Sequence, residues 1–515
     1  MIRRVFPCAA AAAALAVLAS PTLRAQNPRA AGADLGILAG RPTVQPTRIA
    51  RPPDIDGGLD DDVWKTAAVI TDFVQQAPLD GPAATEATEV YLAYDSQNLY
   101  LGFRLHYSDP GLIRANRVDR DQADQDDLIS IYIDPFLDQQ RAYVFDVNAY
   151  GVQGDGIIVT NTSGGTRGRG RTRGGGGQGQ TGIPGPDRSW DALFQTAARV
   201  VEDGYTAEMA IPFKSLRYPQ LGSGESHRWG FQIVRAIQGK DDERDVWAPM
   251  SRDIDGFMTQ MGVMEGMTGF SASRNLELLP TLTAIRFESR DETTGAVADT
   301  FSPEGGLNVK YGISSNLTAD FTFNPDFSQI ESDVAQVEVN QRFPLFFPEL
   351  RPFFLEGQEI FNVFSPLNWL NTRTIVDPRF GGKLTGKVGR TAVALLVAND
   401  EAPGRVEDAT DPAAGETAQV FVGRARYDLY AESYVGGLVT DRQFLDGYSR
   451  AAGADGQFRL GRTGQLNFIA FQTLNRDQAG DETTGPAWGV FLQQNGRNLR
   501  FSTFNGSTHP DLRTD

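Results

Sequence analysis

The sequence predicts an all-β protein: an N-terminal β-sandwich followed by an antiparallel β-barrel of transmembrane type, incomplete within the 515 residues. Three observations carry this. Glycine (55 residues) and proline (28) are abundant, which favours strands and turns over long helices. Apolar residues recur with period two in short runs from residue 48 onward. Beyond residue 269 these runs lengthen to about ten residues, separated by tight polar turns. The composition is otherwise globular, with 40% apolar, 10% aromatic and 22% charged residues. A net charge of −17 and a pI of about 4.8 repel phosphate backbones, so nucleic acid is not expected as a partner.

Residues 1–25, "MIRRVFPCAAAAAALAVLASPTLRA", pair two arginines with an apolar run and a small residue at the cleavage point. They read as a secretory signal. Cys8 lies inside it, so the mature chain is expected to have no cysteine, no disulfide and no thiolate chemistry. No later run reaches the roughly 18 apolar residues of a membrane helix, so any membrane crossing must be made by strands. Residues 26–47 read as a linker of alanine, glycine and proline without period.

The sandwich is expected over residues 48–268. Leu99, Leu101, Phe103, Leu105 and Tyr107 share one face of "NLYLGFRLHY", and Ile129, Ile131 and Ile133 share one face of "DLISIYIDP". Residues 163–182, "SGGTRGRGRTRGGGGQGQTG", read as a solvated loop.

The barrel is expected over residues 269–515. In "LNVKYGISSNLTADFTF", Leu307, Val309, Tyr311 and Ile313 share a face that Leu317, Ala319, Phe321 and Phe323 continue after a short turn. Pairing Ile313 with Leu317 places Lys310 opposite Asp320 on the other face, as a cross-strand ion pair. In "QVFVGRARYDLY", Phe421, Ala425, Tyr427 and Leu429 oppose Arg424, Arg426 and Asp428. Roughly eleven such strands are expected, ending at "HPDLRTD" in mid-pattern, so the barrel reads as truncated. A soluble antiparallel sandwich is the alternative reading. The segment "FPLFFPELRPFFLEG" (343–357) interrupts the pattern. Its prolines forbid regular structure, while each exposed phenylalanine would forfeit about 1.5–3 kcal/mol relative to burial. An irregular, buried insertion at about 325–366 is expected.

Two stretches carry a family resemblance. "IDGGLDDDVWKTA" (55–67), "YLAYDSQNLYLGFRL" (91–105), "DDLISIYIDP" (126–135) and "YTAEMAIPFKSL" (205–216) together resemble the family 9 carbohydrate-binding module of bacterial xylanases. Residues 323–362 resemble the hallmark of an uncharacterised bacterial family that joins such a module to an outer-membrane barrel. The resemblance implies a sandwich that binds sugar and a barrel that inserts in lipid. It also implies a clamp of two tryptophans, whose positions here are Asp124 and Asp255, so neither stacking ring is present. Asn148 matches an asparagine of the family pattern. Trp190, Trp229 and Trp247 are the other candidate sugar platforms, although an indole in a sandwich is more often core. Family 9 modules carry structural calcium, and Asp119, Asp121, Asp124, Asp126 and Asp127 are the candidate ligands. An acidic solvated loop accounts for the same run.

No catalytic motif stands out. His106, His227 and His509 are scattered, with no H-E-x-x-H pair, no G-x-S-x-G elbow and no phosphate loop. Hydrolysis of O-glycosyl bonds is implied only by the association of such modules with xylanases. The expectation is a protein exported across the inner membrane to the outer membrane, with lipid around its strands and a glycan or oligosaccharide at its sandwich. A secreted glycoside hydrolase and a ligand-free plug on a barrel are the alternatives.

Overall fold

The computed structural model describes residues 40–159, 182–222, 224–251, 253–271, 276–290, 297–325, 349, 351–367, 369–406, 408, 410–496 and 498–513. The first half contains β1 (Thr43–Val44), β2 (Thr47–Arg48), β3 (Ala68–Ile70), β4 (Val74–Ala77), β5 (Thr88–Tyr94), β6 (Asn98–His106), β7 (Leu128–Asp134), β8 (Arg141–Asn148) and β9 (Gln153–Val159). It continues with β10 (Gln195–Val201), β11 (Gly204–Pro212), β12 (His227–Ile237), β13 (Glu243–Val246) and β14 (Gly262–Met267). These strands build two sheets. One runs β1-β14-β12-β7-β8-β9, with β13 and β4 extending it from β12; the other runs β10-β11-β6-β5-β2, with β3 beside β5.

The alternation explains why the two sheets face one another. Leu99, Leu101, Phe103 and Leu105 of β6 and Ile129, Ile131 and Ile133 of β7 are fully buried in a single core, as the period-two pattern requires. The opposite side of β7 and β8 is also covered. Tyr132 and Val144 pack there against Phe257, Met258 and Met261, which precede β14. The sandwich starts earlier than expected, since β1 lies within the stretch read as linker and pairs in parallel with β14 (Thr43↔Val263).

The second half is one antiparallel meander in which each strand pairs with the next. It comprises β15 (Leu276–Arg290), β16 (Val297–Ser314), β17 (Leu317–Phe323), β18 (Pro378–Val388), β19 (Thr391–Asp400) and β20 (Ala418–Asp428). β21 (Tyr434–Phe444), β22 (Gly447–Leu460), β23 (Gly464–Arg476), β24 (Glu482–Asn495) and β25 (Arg500–Thr508) complete it. The sheet has the expected eleven strands and is open: among the described residues β15 and β25 do not pair with each other. Lys310 stands opposite Asp320 as expected, but a bulge between Gly312 and Ser314 sets Ser314, not Ile313, against Leu317. The expected Lys310–Asp320 ion pair is not made. Lys310 pairs with Glu356 at 2.9 Å, and Asp320 lies 3.7 Å from Lys383.

Glu356 belongs to the insertion between β17 and β18. Phe343, Phe346 and Phe347 lie outside the described residues, but the part from residue 349 onward is irregular apart from two single turns, α1 (Pro352–Leu355) and α2 (Gln358–Phe361). Phe354, Ile360, Phe361, Trp369 and Ile375 are buried against a small-residue floor that includes Ala392, Ala394, Ala398, Ala451 and Ala487 of the sheet. The burial expected of this segment is therefore found where it is described.

A second buried cluster lies near the junction of the two halves. His227 is stacked on Phe270 (centroids 4.3 Å apart, 5° between planes) and packed edgewise against Tyr218 and Trp229. Burial pushes its pKa down to about 4, so the folded protein holds it neutral while the unfolded chain takes up a proton below about 6.5. The stability this provides is present above pH 6.5 and is lost as the pH falls toward 4. Relative to a His227→Phe variant, the wild-type chain should lose about 3 kcal/mol of unfolding free energy over that interval, measured by denaturant titration at each pH.

Candidate functional site

The described cavity with aromatic and charged lining lies where the sandwich meets the sheet, with a volume of about 910 Å³. β8 contributes Arg141 and Tyr143, the 187–193 loop Trp190, the 212–218 loop Arg217, β16 Lys310, and the insertion Glu356 and Glu359. Trp190 is half-buried. Its ring lies 4.8 Å from Tyr143 and 5.9 Å from Phe145, so one part is anchored and the rest lines the cavity.

Ion pairs tie these walls together. Arg141 Nη1 donates to Glu359 Oε1 at 2.9 Å, and Arg217 Nη2 donates to Glu356 Oε1 at 3.2 Å and Thr385 Oγ1 at 3.1 Å. Arg217 Nη1 is buried and has no hydrogen-bond acceptor. A guanidinium N–H left unpaired beside a cavity is a donor available to a hydroxyl or carboxylate. The chemistry on offer is thus an aromatic face with polar groups next to it.

Of the tryptophans singled out in the sequence, only Trp190 lines this cavity. Trp229 is fully buried against Phe213, Tyr218 and Phe270. Trp247 is buried against Phe231, and a Cβ on Gly262 would come within 2.6 Å of its indole. Both are core residues: β12 alternation points Trp229 between the sheets, and Trp247, just past β13, is held there by its main-chain N–H donating to Ile233 O. Asn148 is likewise structural: its Oδ1 accepts from Tyr150 N and Val152 N, and its Nδ2 donates to Asn116 O and Asp126 Oδ2.

The aspartate run is spread over separate partners rather than gathered. Asp121 Oδ1 accepts from Asp155 N, Asp124 pairs with Arg188 at 2.9 Å, and Asp126 accepts from Asn116 and Asn148. Asp127 accepts from Tyr107 Oη, Arg114 N and Gln238 N. Asp119 lends only its main-chain carbonyl, to Gln122 N. Among the described residues no three His, Cys, Asp or Glu side chains are placed to share a metal. For Asp121, Asp124, Asp126 and Asp127, donors from arginine, asparagine, tyrosine and the main chain take lone pairs that the calcium reading assigned to a cation.

Asp124 and Asp255, the positions of the family clamp, have found other work. Asp255 N donates to Arg462 O at 2.9 Å, and Arg459 donates to the Asp255 carbonyl while pairing with Glu432 at 2.6 Å. The Asp255 position thus docks on the C-terminal sheet here. A second tie is made by Lys387, which reaches both Asp138 of the sandwich and Asp428 of β20. The cavity residues Arg141, Tyr143, Arg217, Lys310, Glu356 and Glu359 were not anticipated. They come from distant segments, and no local spacing marks them.

The fold and this geometry define a two-part chain, a carbohydrate-module-like sandwich docked on a large antiparallel sheet. Residues 55–256 match the family model described as "Carbohydrate family 9 binding domain-like". Residues 274–365 match a domain of unknown function (DUF5916). A family 9 module from Caldicellulosiruptor kristjanssonii, solved with cellotriose, is 16% identical with a TM-score of 0.27, over 43% of this chain and 92% of that one. A putative carbohydrate-binding protein from Bacteroides uniformis is 12% identical with a TM-score of 0.32, over 44% and 99%. No curated protein matches the chain.

Replacing Lys387 with Met should leave Asp138 and Asp428 buried and uncompensated, at a cost of about 3–5 kcal/mol. Thermal melting should show the loss, and adding Asp138→Asn and Asp428→Asn to the same chain should restore most of it.

Proposed function

We propose that this chain is an outer-membrane protein whose C-terminal sheet crosses the lipid and whose sandwich binds glycan at the envelope. The observation that carries the membrane part is the sheet's outward face. Val397, Val439 and Trp488 there are 44%, 45% and 47% exposed, with Phe321, Tyr427 and Phe501 exposed alongside them. The alternate residues Lys383, Thr385, Arg424, Asp455, Asn467 and Thr473 are buried on the inward face. Apolar-out and polar-in alternation is the arrangement lipid demands, and water does not. Among the described residues no helix is long and apolar enough to cross a membrane.

The turns support one orientation. At the end that meets the sandwich, β16–β17, β18–β19 and β22–β23 are joined by two or three residues (315–316, 389–390, 461–463), whereas the opposite end carries the 324–377 and 401–417 connections. Outer-membrane barrels keep short turns in the periplasm, which supports a sandwich on that side.

For glycan, the reading rests on the family 9 match and on Trp190, whose ring stands in the cavity beside Arg217. A pyranose stacked on Trp190 would offer its hydroxyls to Arg217 Nη1 and to the carboxylates of Glu356 and Glu359.

Two measurements test this. Val397→Arg places a charge on the outward face and should reduce stability in phospholipid vesicles by about 2–4 kcal/mol, while an inward Thr473→Ser changes little; recovery of the full-length protein as a soluble periplasmic monomer would sink the membrane reading. On a glycan array the whole chain should bind oligosaccharide, and Trp190→Ala should weaken that binding at least about tenfold. Equal binding by both proteins would remove Trp190 from the site.

A further inference from the structure

The insertion between β17 and β18 begins and ends at the end of the sheet opposite the sandwich, where Phe323 pairs with Phe380. Its middle nevertheless reaches the sandwich. Glu356 accepts from Arg217 and pairs with Lys310, and Glu359 accepts from Arg141. Thr385, which meets Gly357, lies about 17 Å of strand away from Phe380. A connection that starts and stops at one end and touches the other must run the length of the sheet.

It does so on the inward side. Lys383 donates to Phe353 O and Glu356 O, and Arg424 donates to Asn362 O. The Trp369 ring is stacked on Phe471 at 4.2 Å, and Phe364 lies 5.4 Å from Phe491. These contacts fall on β18, β20, β23 and β24, so the insertion spreads across the sheet as well as along it. The inward face is shaped for such a cover. Ala392, Ala394, Leu396, Val422, Ala451 and Ile469 are buried in one cluster with Phe354, Phe361 and Trp369. The inward face of a water-filled channel is polar, so an apolar stripe here belongs to a sheet whose inner side is occupied.

What seats the insertion differs from what ties it down. The seat is apolar and lies on the sheet, whereas the ties to the sandwich are ion pairs that line the Trp190 cavity. Among the described residues the insertion adds no strand to the sheet, so its departure breaks no ladder. We propose that the insertion is a plug in a passage for oligosaccharide, a reading that rests on the membrane placement above. Seated on the inward face and latched to the sandwich through Glu356 and Glu359, it closes the route between the Trp190 cavity and the opposite end of the sheet. Release of the latch opens that route. Because Arg217 and both glutamates belong to cavity and latch alike, a ligand that binds the unlatched form more tightly shifts the plug toward release.

Full-length protein in phospholipid vesicles tests this, with maltotriose as the solute and a charged, membrane-impermeant maleimide as the thiol probe. Wild-type vesicles should swell in maltotriose no faster than protein-free ones. Ala451→Cys, in a Cys8→Ser background, places a thiol beneath the plug. It should label at least about tenfold more slowly than Ala479→Cys on the exposed β23–β24 turn. Adding Glu356→Gln and Glu359→Gln should remove most of that difference and admit maltotriose. Replacing residues 351–376 by a short Gly-Ser linker should admit it too; should that deletion fail to fold, the glutamine pair carries the test. Flotation of the vesicles reports the membrane reading separately, and protein that does not float overturns both readings. Floated wild-type protein that admits maltotriose, equal labelling of Ala451→Cys and Ala479→Cys, or vesicles that stay tight after the glutamine substitutions overturn the plug alone.

Discussion

Every strand in this chain has an apolar side that must be covered, and the two halves meet that requirement in opposite ways. In the sandwich the apolar faces of two sheets cover one another, so Leu101 and Phe103 meet Ile131 and Ile133 in a dry interior. The C-terminal sheet has no second sheet, and its apolar side looks outward. At about 1.5–3 kcal/mol for each large side chain, a face carrying Phe321, Val397, Tyr427, Val439, Trp488 and Phe501 represents on the order of 10 kcal/mol of unmet burial in water. That is comparable with the whole stability of an ordinary domain, which is why the nature of the surrounding medium governs any account of this half.

The same inversion fixes how the halves join. A sheet that turns its polar side inward presents charges at its rim, and the sandwich answers with charges of its own. Lys387 between Asp138 and Asp428 and Arg141 with Glu359 are largely buried, and Arg459, paired with Glu432 of its own half, donates to the Asp255 carbonyl of the sandwich. Buried pairs of this type add little net stability, because desolvation offsets most of their attraction. What they supply is orientation, since a sandwich rotated on this rim would strand several charges at once. The cavity at Trp190 exists only in that orientation, because Glu356 and Glu359 come from the second half.

Much of the architecture was legible because period two is a direct readout of which side chain faces which way. The two core stripes, the eleven strands and the Lys310–Asp320 register all follow from it. What alternation cannot report is what lies opposite a face. Lys310 and Asp320 stand side by side, yet each takes a partner from elsewhere, since Glu356 enters from the insertion. Trp190, Trp229 and Trp247 look alike in the sequence and differ in what covers them: Trp229 on β12 and Trp247 just after β13 are sealed in the core, whereas Trp190 sits on a loop at the cavity. The aspartates at 119–127 drew attention by density, while Arg217 and Glu356, separated by 139 positions in the chain, meet only where the two halves dock.

The insertion shows why phenylalanine and proline suit an irregular segment placed on a sheet face that mixes small apolar residues with charges. Away from water, each main-chain carbonyl still needs a donor, and a loop has no ladder to provide one. Here cationic side chains serve as the donors. Arg351 gives its guanidinium N–H groups to the carbonyls of Thr372 and Ile375, and Lys383 gives its ammonium to those of Phe353 and Glu356. Proline at 352 reduces the number of N–H groups to be matched. The rings then shield these contacts: the Arg351 guanidinium lies 4.2 Å from the Phe354 ring, and Phe353 covers Gly381, where a Cβ would come within 3.0 Å of it. The segment's charges and its aromatics are one device, for a cation that satisfies buried carbonyls must itself be kept from water by something apolar.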